Sequence, residues 1–246
     1  MDDSVSDNEW LITCERFVAF IDIMGFKDML LRDGHDAVFS MLQKIQKDAN
    51  RIVSKPLYSE SGERTTKFSL YSDSIMIYST DNSKAAQVNF MLTVARFSSS
   101  LLQNFIPFKG AIAFGKMTVD FNASIFMGQP LIDAYLLQDE LQLYGIVTHG
   151  TYDKFIDYNN YQQALTLNYN CPFKSYKSSH YLVVPFLMFA KTIKEVEVVA
   201  KEILHSPAEY AYSVSGGLRH YVDNTRAFLE HCNDLIEQVL PEQPLK

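Results

Sequence analysis

The sequence predicts an α+β domain in which two long helices cover one β-sheet. Two observations lead to this fold class. The nearly continuous apolar run 17–26 is rich in aromatic and β-branched residues and ends near Gly25, which is typical of a buried strand entering a turn. The segment 67–79 has two β-rich runs flanking Ser72-Asp73-Ser74, which indicates a hairpin with a carboxylate at its tip.

Helical periodicity separates and follows these strands. Apolar residues recur at helical spacing over 38–53 and again over 82–105, and the opposite face of the first segment is polar. A polar loop around Gly62 is predicted at 59–64. Near the C-terminus, two further helical patterns cover 191–205 and 218–240.

The first apolar run carries a single carboxylate, Asp22. A buried carboxylate is costly unless it is paired, protonated or bound to a metal, so Asp22 is expected to have a partner. An alternative is that Asp22 caps the helix that follows.

Asp73 is the candidate partner of Asp22. Aspartate is common at tight turns for reasons of turn chemistry alone, so Asp73 by itself indicates little. A crossover helix returns the chain to the same sheet, so the first and second strands are expected to lie side by side, which would bring Asp22 close to the hairpin tip. Two close carboxylates repel unless a proton or cations lie between them. The pair therefore predicts a site for divalent metal ions, and two such ions would suit phosphoryl transfer.

Composition narrows the possible functions. The chain has 246 residues, a net charge of −7 and no Lys/Arg run, so nonspecific nucleic-acid binding is not expected. Cys14, Cys171 and Cys232 are scattered, which favours reduced thiols in a cytoplasmic protein. The apolar run 181–190 is too short to span a bilayer, so no direct membrane contact is expected. We predict an acidic N-terminal segment at 1–16, a catalytic domain at 17–190 and a C-terminal helical extension at 191–246.

Several motifs together resemble the class III nucleotidyl cyclases. Asp-Ile-Met-Gly-Phe at 22–26 is similar to the first metal motif of that family, and Ser-Asp-Ser-Ile-Met at 72–76 is similar to the second. Three downstream segments resemble the family's later strands, at 108–115, 144–149 and 181–185. The segment 126–135 is similar to the family's Gly-x-x-Val-Asn-x-Ala segment, which opens a helix, and 171–177 falls where the family carries a lysine that binds the triphosphate. The resemblance implies a ferredoxin-like, or palm, βαββαβ cyclase domain followed by C-terminal helices.

The departures from the purine cyclases point to a different base. Ser69 and Ile125 stand where those enzymes carry a base-reading Lys and Asp. Tyr71, two residues before Asp73, is bulky and would narrow the base pocket against a purine. This pattern resembles the pyrimidine cyclases of bacterial Pycsar anti-phage systems, which make cyclic CMP or cyclic UMP.

A second departure concerns the helix that follows. Ile132 and Leu136 occupy the positions of an Asn and an Arg that orient the ribose and stabilise the transition state in the purine enzymes. We expect both residues to be ordinary helix-packing residues. The missing charge would then come from another cation, or catalysis would be weak, or the domain would be inactive.

The resemblance also assigns site residues. Asp22, Asp73 and the main-chain carbonyl of Ile23 would hold two Mg²⁺ or Mn²⁺ ions. These ions would support attack of the ribose 3′-hydroxyl on the α-phosphate of UTP or CTP, with UTP preferred, and release of pyrophosphate.

Phosphate contacts are assigned to a helix start and a lysine. The main-chain N–H groups of Met24, Gly25 and Phe26 would open the helix that receives the phosphates, although Phe26 is expected mainly to anchor the core. Replacement cations are sought among Lys109, Lys174, Lys177 and Arg96. Lys174 is preferred for the triphosphate because of its position in the motif order.

The resemblance further implies a homodimer with its active sites at the interface, and a separate effector protein that reads the product. Two other classes stay open. One is a cyclase-like domain that binds nucleotide without turnover. The other is a related palm enzyme such as a diguanylate cyclase, but 70–75 lacks the glycines of that family's hairpin motif.

Overall fold

The structure is a computed structural model, and it describes residues 10–54, 65–156, 165–185 and 215–239. The predicted loop 59–64 and the predicted helix 191–205 lie outside these ranges. The division into segments 1–16, 17–190 and 191–246 stays a prediction. The first strand begins at Thr13, within the segment that was predicted to precede the domain.

In the part of the chain that the structure describes, eight strands form one sheet with the order β2-β3-β1-β4-β6-β8-β7, and β5 pairs with β4 outside this path. The strands are β1 Thr13–Ile23, β2 Thr66–Tyr71, β3 Ser74–Ser79, β4 Phe108–Asp120, β5 Ile125–Gly128, β6 Gly145–Thr148, β7 Thr166–Pro172 and β8 Lys177–Val183. The predicted first strand and hairpin are confirmed. The strands β5 and β7 were not predicted as such.

The helices lie between and after the strands. They are α1 Phe26–Asp33, α2 His35–Val53, α3 Lys84–Gln103, α4 Gln129–Glu140, α5 Gly150–Asp153 and α6 Gly217–Val239. The amphipathic pattern 38–53 corresponds to α2, the pattern 82–105 to α3, and the pattern 218–240 to α6. Ser83 begins α3 as its N-cap, because the serine side chain accepts a hydrogen bond from the N–H of Ala86. The α+β fold class is therefore confirmed.

Strand β1 lies at the centre of the sheet, between β3 and β4, and pairs antiparallel with both. Successive side chains of a strand point to opposite faces. Phe17 contacts Phe90 of α3 with 5.8 Å between ring centroids, whereas Phe20 contacts Tyr135 of α4 edge-on at 5.4 Å. Asp22 lies two residues beyond Phe20 and therefore projects toward the α4 side of the sheet.

A glycine in β4 allows the two central strands to approach closely. A Cβ atom at Gly110 would lie 2.8 Å from the carbonyl oxygen of Phe20 and 3.0 Å from a side-chain carbon of Ile21. No side chain fits there without displacing the backbone of β1. Gly110 thus helps to set the spacing of β1 and β4 just beside the position of Asp22.

None of the helices in the described ranges is long and apolar enough to cross a membrane.

Candidate functional site

The structure brings Asp22 and Asp73 together at one edge of the sheet. Asp22 is the last residue of β1 that pairs with β3, and its partner there is Ser74, the residue after Asp73. The N–H of Ile23 donates to the carbonyl oxygen of Asp73 at 2.8 Å. Both aspartates are partly buried. The expectation that the first and second strands lie side by side is wrong, because the crossover through α1 and α2 leads to β2, and β3 lies between β2 and β1. Asp22 meets the hairpin tip because the hairpin folds β3 back beside β1.

The hairpin turn consists of Ser72 and Asp73, since Tyr71 and Ser74 are paired across the two strands. Ser72 adopts a left-handed conformation with φ 56°, which the tight connection requires. Tyr71 shares a register row with Ser74 and Asp22, so its side chain leaves the sheet on the same face as Asp22. It is 79% exposed, and its strand β2 is separated from the strand of Asp22 by β3.

The protonation of Asp22 reflects its neighbours. Burial, followed by the negative charge of Asp73, raises the pKa of Asp22 from 3.8 to about 6, and Lys109 opposes this rise. A carboxylate with such a pKa lacks sufficient positive charge in its surroundings. A divalent cation would supply that charge.

Lys109 lies directly across from Asp22 in the antiparallel pairing of β1 and β4. The residue is only 6% exposed. Its ammonium donates to the main-chain oxygen of Asp139 at 2.9 Å and lies 3.7 Å from a carboxylate oxygen of that residue. Burial lowers the pKa of Lys109, and Asp139 and Asp22 raise it. Lys109 is one of the four candidate replacement cations, and it is the register partner of Asp22 across β1 and β4.

Lys174 lies in the turn between β7 and β8. Its ammonium is 2.6 Å from a carboxylate oxygen of Asp139, so Asp139 contacts both lysines. The hydrogen bond to Lys174 lowers the pKa of Asp139, and the same bond raises the pKa of Lys174. Asp139 was not singled out from the sequence. Only the pairing of β1 with β4 and the position of the end of α4 reveal its place.

The helix that was expected to open with the N–H groups of Met24, Gly25 and Phe26 begins at the last of these residues. Gly25 is the N-cap of α1 with φ 72° and ψ 17°, and Phe26 is the first helical residue. The N–H of Met24 already donates to the carbonyl oxygen of Pro107 at 2.9 Å, so Met24 is engaged with the backbone. The first-turn N–H groups, which have no acceptor within a helix, begin at Phe26. The ring of Phe26 packs partly against the core.

The residues at the base-reading and ribose-reading positions are also placed. Ser69 is partly buried, and its hydroxyl is 3.2 Å from the hydroxyl of Tyr78. Ile125 is 49% exposed on β5. The expectation that Ile132 and Leu136 are helix-packing residues is wrong for the single chain, because they are 51% and 57% exposed on α4. The buried residues of α4 are Pro130, Ala134 and Gln138, and they occupy the opposite side of the helix.

The donor atoms fit a hard divalent cation. In the described residues, no group of three or more His, Cys, Asp or Glu side chains is arranged to hold a metal ion. Two carboxylates with a nearby carbonyl are what Mg²⁺ or Mn²⁺ uses when substrate phosphates and water complete its shell. The structure brings Asp22 and Asp73 to one edge of the sheet, and their mutual repulsion is consistent with cation binding.

No protein-family model matches the chain, and no curated protein sequence matches it. Solved structures do. A bacterial light-regulated adenylyl cyclase superposes with a TM-score of 0.51 at 12% sequence identity, covering 78% of this chain and 57% of the other. The catalytic core of a rhodopsin-guanylyl cyclase with converted specificity, in complex with ATPαS, also gives a TM-score of 0.51, at 14% identity, covering 71% of this chain and 98% of that core.

These likenesses establish the fold. The described chain has the α+β fold of these adenylyl and guanylyl cyclase structures. It spans 57% of the length of the light-regulated enzyme.

Proposed function

We propose that this protein is a nucleotidyl cyclase that converts a pyrimidine nucleoside triphosphate, UTP or CTP, to its 3′,5′-cyclic monophosphate and pyrophosphate. The observation that carries the proposal is the juxtaposition of Asp22 and Asp73 at the end of β1 in a cyclase fold. Both residues belong to the motifs that resemble the family's metal motifs.

Asp22, Asp73 and the carbonyl of Ile23 would hold two Mg²⁺ or Mn²⁺ ions. When bound, such ions lower the pKa of an attacking hydroxyl and neutralise the charge on the phosphates. The burial of Asp22 reduces the competition of water for its carboxylate, and its repulsion with Asp73 makes cation binding favourable.

The phosphate chain would lie between α1 and Lys174. The first-turn N–H groups of α1, from Phe26 onward, form a positive helix end, and Gly25 lets a phosphate approach closely because nothing lies within 4 Å of where its Cβ would be. The ammonium of Lys174 would bind the outer phosphates. Lys109 is the buried cation across from Asp22 and adds positive charge to the same edge.

Pyrimidine preference is supported by the residues near the hairpin. The Ser69 hydroxyl, paired with that of Tyr78, offers a neutral donor and acceptor in place of a charged base reader. Tyr71 stands on the face of Asp22 and would restrict the space for a two-ring base. We propose UTP as the preferred substrate, with CTP as the alternative.

A homodimer would cover the exposed apolar residues of α4 and β5. Ile132 and Leu136 lie four residues apart on the outer side of α4, and Tyr135, whose ring also contacts Phe20, follows between them in sequence. Each of the three residues is more than half exposed. Ile125 and Met127 of β5 are 49% and 62% exposed. Packing a second chain on these residues would remove contiguous apolar surface from water. Ile132 and Leu136 stand where the purine enzymes carry the Asn and Arg that orient the ribose and stabilise the transition state. Their apolar side chains would suit such an interface better than polar ones.

The resemblance to Pycsar cyclases extends the proposal to biology. The cyclic nucleotide would be a second messenger of anti-phage defence, made in the cytoplasm and read by a separate effector protein. The proposal involves neither nucleic acid nor a direct membrane contact.

A second candidate is a cyclase-like domain that binds nucleotide without turnover. Ile132 and Leu136 favour it, because they lack the polar groups that would orient the ribose and stabilise the transition state. The retained pair of Asp22 and Asp73 favours the enzyme.

One experiment separates these candidates. Purified protein is incubated with ATP, GTP, CTP or UTP and Mn²⁺, and the products are identified by mass. Asp73→Ala should abolish turnover, whereas Asp234→Ala, which changes an exposed carboxylate on α6, should retain it. A cyclic pyrimidine monophosphate from the parent supports the proposal. A cyclic purine would overturn the base assignment, and no product from a folded parent would favour the non-catalytic binder.

A further inference from the structure

The turn that carries Lys174 is docked on the end of α4 by main-chain hydrogen bonds. The N–H of Lys174 donates to the carbonyl oxygen of Glu140 at 2.9 Å, and the N–H of Gln142 donates to that of Pro172 at 2.9 Å. Leu141 and Phe173 also form a β-bridge. The backbone position of Lys174 is therefore set without any help from its own side chain.

The direction of that side chain is set by Asp139. The ammonium lies 2.6 Å from the carboxylate, and both side chains are nearly half exposed, at 44% for Lys174 and 49% for Asp139. A lysine side chain has four rotatable bonds, and an exposed one samples many rotamers unless a partner restrains it. The ion pair therefore restrains an otherwise mobile cation.

A second cation makes this restraint necessary. The buried ammonium of Lys109 lies 3.7 Å from the other carboxylate oxygen of Asp139, and the positive charge of Lys174 acts on Lys109. The two ammonium groups thus repel each other across one carboxylate. Without that carboxylate, Lys109 would stay in place because it is held by the main-chain oxygen of Asp139 at 2.9 Å. Lys174, the exposed partner, would move into solvent.

Engagement with Asp139 leaves Lys174 able to bind phosphate. An ammonium group has three N–H donors, and the bond to Asp139 uses one of them. Two donors remain for a phosphate group, and the second lysine in contact with the same carboxylate, Lys109, is paired in register with Asp22.

We propose that Asp139 is a positioning residue that holds Lys174 for the phosphate chain of the substrate, using the buried Lys109 as its second anchor. This inference rests on the proposed function, since it assumes that the site binds a polyphosphate. It assigns a role in substrate binding to a residue that is neither a metal ligand nor in either metal motif.

The test measures polyphosphate binding directly. Inorganic tripolyphosphate is titrated into the full chain with saturating Mn²⁺ by isothermal titration calorimetry. Asp139→Asn keeps the side-chain shape and the main-chain bond to Lys109, and it should weaken binding by about three- to tenfold because a neutral amide restrains the Lys174 ammonium less strongly than a carboxylate does. Asp139→Glu should recover most of the affinity. Binding of Mn²⁺ alone, followed by electron paramagnetic resonance, should be unchanged in both variants.

A matched control and a double variant test the route of the effect. Asp223→Asn removes a carboxylate of similar exposure, 54%, that pairs with Arg219 at 2.8 Å on α6, and it should leave binding unchanged. In a Lys174→Met background, Asp139→Asn should have no further effect on affinity, because the residue acts through Lys174.

The outcomes separate this inference from the proposed function. If Asp139→Asn binds tripolyphosphate as well as the parent or more tightly, or weakens binding equally in the Lys174→Met background, the positioning role is wrong. If the parent itself binds no tripolyphosphate with Mn²⁺ and makes no cyclic product, the proposed function fails instead.

Discussion

Replacing Asp22 with asparagine should stabilise the metal-free protein at neutral and alkaline pH while destroying its metal site. Asparagine has nearly the shape of aspartate but carries no charge. Burial and the neighbouring Asp73 disfavour the ionised form of Asp22, so this negative charge destabilises the folded protein when no cation is bound.

The magnitude follows from the pKa. The folded state raises the pKa of Asp22 from 3.8 to about 6. A shift of about 2 pH units corresponds to about 3 kcal/mol of differential interaction, an upper value because Asp22 is partly accessible to water. The folded state holds the proton more tightly than the unfolded state, so the parent loses this stability as pH rises from about 4 to about 6. Asp22→Asn should therefore unfold with a free energy higher by about 1–3 kcal/mol above about pH 7, and with little difference below about pH 4.

The free energies of unfolding of the parent and of Asp22→Asn are measured by urea unfolding in the presence of a chelator, at about pH 8 and again at about pH 4, near the pKa of aspartate in the unfolded chain. Trp10, the one tryptophan in the sequence, donates from its indole nitrogen to the carbonyl oxygen of Val119 at 2.8 Å, so its fluorescence reports on the packed sheet. Asp234→Asn, on exposed α6 surface, is the control and should change the unfolding free energy by less than about 0.5 kcal/mol. Added Mn²⁺ should stabilise the parent and not Asp22→Asn.

The refuting result is a metal-free Asp22→Asn variant that is less stable than the parent at alkaline pH. That outcome would mean that the attraction of Lys109 for the carboxylate outweighs burial and the repulsion from Asp73. The negative charge would then be balanced within the protein, and the physical reason for cation binding at this edge would be lost.

Three further predictions concern the surroundings of the site. Gly25→Ala should lower the free energy of unfolding by about 1 kcal/mol, because a φ of 72° is unfavourable for alanine while no neighbouring atom obstructs its Cβ. An unchanged midpoint of urea unfolding would contradict this prediction. Gly110→Ala should lower the free energy of unfolding by about 2 kcal/mol or more and weaken Mn²⁺ binding, because its Cβ would lie 2.8 Å from the carbonyl oxygen of Phe20 and separate β4 from β1. Urea unfolding measures the first effect and calorimetric titration of Mn²⁺ the second. Values like those of the parent in both experiments would exclude the close approach of the two strands. Leu136→Glu should convert a dimer to a monomer, as measured by light scattering, with little loss of folding stability because Leu136 is 57% exposed in one chain. The control Leu218→Glu, at a residue of α6 that is 47% exposed, should leave the oligomeric state unchanged. A dimer that survives Leu136→Glu would place the interface elsewhere.

Much of the site was accessible from sequence because its chemistry is local. A lone carboxylate in an apolar strand and another at a hairpin tip are both visible in the order of residues. A crossover connection returns the chain to the same sheet, which predicts that the two aspartates are close, but it does not predict that β3 and not β2 lies beside β1. The structure brings Asp22 and Asp73 together, and their metal and catalytic roles remain proposals.

The second group of charges was not accessible in the same way. Lys109, Asp139 and Lys174 come from β4, the end of α4 and the turn after β7, which are far apart in the chain. Lys109 faces Asp22 only because β1 and β4 pair in one register, and a shift of one residue would turn it to the opposite face. Hydrophobic periodicity reports which residues of an element share a face, and it carries no information about which residue of another element lies opposite.

The exposure of α4 shows the same limit. Ile132 and Leu136 are apolar residues on a helix, and the sequence alone favours placing them in the core. In the structure, Pro130, Ala134 and Gln138 form the buried side of this helix, and Ile132 and Leu136 are exposed to solvent.

The sequence by itself determined the α+β class, the central strand, the hairpin and the two aspartates, because each depends on residue type and spacing within a short segment. The tertiary structure decided which cations lie near Asp22, how Asp139 connects them, and which side of α4 is free. These features depend on strand register and on the direction from which a helix packs on the sheet. Both are settled by many weak contacts over the whole domain, and no single segment contains them.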